Sequence, residues 1–150
     1  MDKQLSPADV QHAQQLLQES EALETAEMQG AIATLEKHNG DVELSFQELW
    51  EEEVGSLGSD EEERNKLWTV TLKVLRQEVC GDDGFRAKIT DYNKNPESAS
   101  LLAGAVVYLV GLTTLPINPA IATIVVLYLL KVGLNIFCEY TEPTDADKAV

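Results

Sequence analysis

The side chains able to do chemistry are few, and their spacing decides what they can do. His12 and His38 are the only two histidines. Neither has a cysteine or carboxylate placed so that both imidazoles could share one metal ion, so they read as surface residues. Asp82 and Asp83 suggest a cation loop, but such a loop needs oxygen ligands at five or six set positions, and a solvated turn fits better. The run Glu51, Glu52, Glu53 reads as exposed carboxylates without the hydrophobic pocket that would raise a carboxyl pKa for general-acid work. Cys80 and Cys138 lie far apart in no Cys-x-x-Cys or Cys/His cluster. They read as separate packing residues in a reduced, cytosol-facing compartment. Gly104 and Gly111 sit inside an apolar helix pattern that a phosphate could not reach, and no nucleophile elbow or phosphate loop occurs. The sequence therefore assigns no catalytic, cofactor-binding or metal-binding residue, and the expected function is non-enzymatic.

Charge narrows the partners. Of the 150 residues, the first 63 hold 17 Asp and Glu against Lys3 and Lys37, which equals the net charge of −15 of the whole chain. Residues 64–97 carry seven basic and five acidic side chains, and residues 98–150 two basic and four acidic. An acidic first half repels phosphate backbones, and the mildly basic middle lacks an aromatic-interleaved patch, so nucleic acid is not an expected partner. The stretch "MDKQLSPADVQHAQ" lacks the apolar centre of a secretory signal.

The elements that must position these residues are helices, and the expected fold class is all-α. Residues 1–55 read as an acidic module of three short helices. Ser6 caps the first, with Pro7 at its first position and Asp9 at its third. Thr25 can cap the second, which runs to the left-handed stop His38-Asn39-Gly40, and Asp41 caps the third. Val42, Phe46, Leu49 and Trp50 then face a small core, and the module is expected to fold as a separate unit. The segment "MQGAIATLEKHNGDVELSFQELW" resembles the second and third helices of the UBA-like family. The resemblance implies a small protein-interaction module. The Met-Gly-aromatic surface of ubiquitin-binding members is missing from "SEALET", so ubiquitin binding is not implied.

Residues 56–62 read as an acidic Gly/Ser linker, in which Ser59 and Glu62 make a capping box. Residues 63–95 form an amphipathic helix and a connecting segment. The apolar stripe of that helix, from Leu67 and Trp68 to Val79, predicts packing on neighbouring helices.

From Ser98 to Leu130 the chain runs for 33 residues without a charge. Residues 96–138 accordingly read as a hydrophobic antiparallel helical hairpin, followed by an acidic tail over 139–150. Asn95 and Pro96 are expected to start its first helix, and the two halves, 96–115 and 119–138, are each about 30 Å long, a bilayer's hydrocarbon thickness. Leu101, Val107 and Leu112 represent the first half, Pro116 and Pro119 the turn, Val126 and Leu130 the second half. Lys131 is placed to snorkel to a membrane interface. The chain looks too small to wrap two such helices in its other apolar residues. A membrane location therefore follows, with both termini cytoplasmic because Arg86, Lys88 and Lys94 precede the hairpin.

The resulting expectation is a membrane-anchored adaptor that presents the acidic module to a protein partner. Two alternatives are a cytoplasmic soluble helical interaction protein that hides the hairpin in its core or in a homodimer, and a membrane-perturbing effector. The sequence assigns no residue to partner binding.

Overall fold

In the structure, a computed structural model, residues 4–18, 25–54, 61–115 and 117–140 are described. They form eight α-helices and no strands: α1 (Pro7–Gln18), α2 (Thr25–Lys37), α3 (Val42–Val54), α4 (Glu61–Val79), α5 (Asp83–Lys94), α6 (Ala99–Leu112), α7 (Pro119–Val132) and α8 (Leu134–Tyr140). The all-α expectation holds.

Caps fix the first three helices where the sequence places them. The Ser6 hydroxyl accepts from the Asp9 N–H at 3.1 Å while the Asp9 carboxylate accepts from the Ser6 N–H at 3.0 Å, a reciprocal pair at the start of α1. Between α2 and α3, Asn39 and Gly40 take φ of 56° and 86°, and the Asp41 carboxylate accepts from the Leu44 N–H at 2.9 Å. A side chain cannot replace the Gly40 hydrogen, because a Cβ there would lie 2.2 Å from the Leu5 carbonyl oxygen. This close approach lets the Leu5 N–H donate to the Gly40 carbonyl at 2.8 Å, which ties the lead-in of α1 to the α2–α3 turn. The caps expected of Thr25 and Ser59, the segment "SEALET", the linker to residue 60, Pro116 and the tail from 141 lie outside what is described. Residues 61 and 62, given to the linker by sequence, begin α4.

The hairpin departs from expectation in length and in environment. Asn95 ends α5 instead of starting α6, its N–H donating to Asp91 and Tyr92 carbonyls, and Ser98 caps α6. Each hairpin helix has 14 residues, which is about 21 Å and well short of a bilayer's hydrocarbon core. The second half does not continue to Cys138, because Gly133 at φ 93° breaks it into α7 and α8. No described helix is long and apolar enough to cross a membrane.

The two halves are also unlike each other. From Ala120 to Leu129 every residue of α7 is buried, against α2, α3 and α6, with α8 beside its end. α6 buries one face, Leu102, Ala105, Val106 and Leu109, and leaves Val107 on the surface. Only one helix needed complete wrapping, and a chain of this size supplies that. The expectation that it could not rested on counting both halves as apolar on every side.

A chain of aromatic contacts runs through the shared core. Phe46 of α3 meets Trp68 of α4 at 5.3 Å between ring centroids, Trp68 meets Tyr128 of α7 at 5.4 Å, and Tyr128 meets Phe137 of α8 at 6.3 Å. These edge-on pairs join the first module to the last helix. Phe46 is fully buried as expected, whereas Trp50 is half-buried at its margin. The expected separateness of residues 1–55 meets a structure in which their buried faces are closed by α7.

Cys80 and Cys138 are joined by a disulfide, their Cα atoms 5.8 Å apart. This corrects the reading of two separate thiols. α5, α6 and α7 carry the chain away from the end of α4 and back again, so α8 arrives beside Cys80, and a sequence separation of 58 residues gave no sign of it. A reduced compartment does not follow from cysteines that are bonded to each other.

Candidate interaction surface

The residues assigned to a membrane hairpin scatter into different environments. Val126 is fully buried in the centre of the fold, Leu101, Leu112, Pro119 and Leu130 are half-buried, and Val107 is 45% exposed. They do not form one surface. Lys131, placed by sequence at a membrane interface, donates instead to the Asp9 carboxylate of α1 at 2.9 Å.

Polar contacts elsewhere do the same work of tying α1–α3 to the rest. The Glu53 carboxylate accepts from the Asn118 amide at 3.0 Å, and the His12 ring nitrogen reaches the Pro96 carbonyl at 2.8 Å. Glu78 of α4 accepts from the Thr113 hydroxyl and from the Thr114 N–H, each at 2.7 Å, and so binds the end of α6. Burial works against ionisation of Asp9, but hydrogen bonds from Lys131 and Ser6 outweigh it and hold its pKa below the ordinary value. Glu48 is likewise lowered, chiefly by the hydrogen bond from Lys37 at 2.6 Å. These carboxylates and both histidines are therefore structural. Among the described residues no group of three or more His, Cys, Asp or Glu side chains is placed to hold a metal ion.

On the outer face of the acidic helices a concavity lies between α1 and α2. A hollow of about 350 Å³ has Leu5 and Val10 as its floor, with Pro7 and Gly40 beside them. Its rim is polar: Gln11, Gln14, Asn39 and Glu36. A smaller hollow of about 120 Å³, over Ile32 and Ala33, shares Gln14 and Glu36 with the first. Together they make a groove with an apolar floor, an amide rim and one carboxylate at the junction. The Glu36 carboxylate is exposed and has no ion-pair partner among the described residues, unlike Asp9 and Glu48 on either side of it.

The sequence located neither the groove nor Glu36. Its floor comes from Leu5, which precedes any helix and reads as a terminal residue, and only the Gly40 turn brings it under α1. The glycine was legible, but the partner across the turn was not.

Compared with known proteins, the chain matches no family model, no curated protein and no solved structure.

Proposed function

We propose that this protein is a non-enzymatic helical interaction protein whose hydrophobic hairpin is its own core and whose acidic α1–α3 face is offered to a protein partner. The observation that carries the reading is the sealing of α7. Ten consecutive residues, Ala120–Leu129, are buried within the chain's own helices, so the second half of the uncharged run is consumed by the fold and is not left over as an anchor. What stays outward on α2 and α3 is acidic, including Glu27, Glu36 and Glu52, with Leu44 48% exposed among them. The resemblance of residues 28–50 to UBA-like helices, which serve mostly as small protein-interaction modules, supports the same use. The membrane-anchored reading loses its basis, because it rested on two bilayer-length helices and a core too small to hold them.

The test places a photo-crosslinking amino acid at Leu44 or Glu52 on α3, and at Lys88 on α5 as a control, in the full chain expressed in its own host. Cross-linking of a discrete protein from the α3 positions and not from Lys88, with the chain recovered from the host without detergent, is the expected result. Cross-links to lipid alone, or a chain extracted only by detergent, would return the hairpin to the membrane.

A further inference from the structure

The groove has a complement on the same molecule. α4 keeps Trp68, Thr71, Leu75 and Val79 inward and turns Lys66, Val70 and Lys73 outward. Val70 is 54% exposed, the second most exposed large apolar side chain among the described residues, and its neighbours one turn before and after on that face are both lysines. An apolar knob between two cations is what a groove with an apolar floor and one unpaired carboxylate would receive. The charge match is local: over its whole length α4 carries four basic and four acidic side chains, but three of the acidic ones, Glu61, Glu62 and Glu63, stand at its start and Glu78 near its end, so Lys66 and Lys73 flank Val70 with no carboxylate between them. Two like-charged molecules repel in general, and the pairing rests on these two lysines meeting Glu36 across the contact.

We infer that the occupant of the α1–α2 groove is α4 of a second copy of this chain, with Val70 seated over Leu5 and Val10 and Lys73 or Lys66 paired with Glu36. The inference rests on the reading of the acidic face as an interaction surface and names the partner at one part of it. Each copy carries both groove and ridge, so two copies that pair them reciprocally close as a two-fold dimer, and copies that pair them one way only extend beyond it.

The experiment is sedimentation equilibrium of the full chain from micromolar to millimolar concentration. The expected weight-average mass climbs from that of the monomer to that of the dimer or beyond. Glu36→Lys and Lys73→Glu, both at exposed positions, should each weaken association about tenfold or more while leaving the thermal melt unchanged. Mixing the two variants should restore it, because every contact in an alternating assembly is then either native or a swapped pair. Val70→Asp should weaken association with no rescue by either charge variant, and Glu139→Gln, which removes one exposed negative charge on α8 away from groove and ridge, should leave it unchanged. A wild-type chain that stays monomeric to the highest concentration overturns the inference, as does association that the single variants do not weaken or that mixing does not restore. A monomer that still cross-links a different protein from α3 would reject self-association and leave the proposed function standing.

Discussion

Removing the Cys80–Cys138 bond should be expensive, and the structure says by how much. The bond closes a loop of 58 residues containing α5, α6 and α7. Chain-entropy arithmetic for a loop of that length gives about 4 kcal/mol of stabilisation, through the conformations denied to the unfolded chain. Little of this should be cancelled in the native state, because α8 is held independently: Phe137 is fully buried against Tyr128, Leu134 is buried, and the Arg86 guanidinium donates both to the Asn135 side chain and to the Cys80 carbonyl. The native fold should therefore survive the double variant Cys80→Ser/Cys138→Ser, with its loss appearing on unfolding. With a urea m-value of about 2 kcal/mol/M, the midpoint should fall by about 2 M. The m-value should itself rise, since an uncrosslinked unfolded chain exposes more surface. Wild type treated with a dithiol reductant should match the double variant. Mass measurement after alkylation supplies the internal control, with no thiol modified in denaturant alone and two modified after reduction. A midpoint that moves by a few tenths of a molar unit, or two thiols that alkylate without reductant, would refute the reasoning.

Gly40→Ala should destabilise the protein by at least about 2 kcal/mol, because φ at 86° and a Cβ 2.2 Å from the Leu5 carbonyl oxygen leave no accommodating rotation; urea melts would show it, and a neutral result would mean that the turn is not as described. Acid should weaken the fold through Asp9 and Glu48: both pKa values are lowered in the native state, so their contribution is present above the ordinary carboxyl range and is lost as pH falls through the depressed native values. Asp9→Asn should flatten that decline between about pH 5 and 3, as read from denaturant midpoints across pH. A fragment of residues 1–54, deprived of the faces of α2 and α3 that α7 covers, should lack the amide dispersion of the full chain, and a well-dispersed spectrum would show that the three helices close a core among themselves.

Local signals were legible and distant ones were not. Ser6, Asp9, Gly40 and Asp41 sit where the sequence puts them, because a cap or a positive-φ glycine acts within four residues. The span of α4 and the inward side of Trp68 and Leu75 also follow from the pattern, since a stripe of large apolar residues must find a neighbour. The hairpin shows where such reading stops. An uncharged run says that water is excluded and does not say by what, and here the excluding surface comes from helices some ninety residues earlier. Gly133 falls within the single helix that the sequence predicts over 119–138, although its positive φ is what divides α7 from α8. The disulfide and the groove share this character, each made of residues that only the completed fold brings together.

The position of α7 in the chain has a bearing on synthesis. α3 ends at Val54 and α7 begins at Pro119, 65 residues later, so at ribosomal speeds of about 5–20 residues per second the first three helices wait roughly 3–13 s for the helix that covers them. During that interval Met28, Ile32, Val42 and Phe46 belong to a nascent chain whose core has no centre. Most of the waiting surface is flanked by carboxylates, and their mutual repulsion discourages neighbouring nascent chains from burying these side chains against one another.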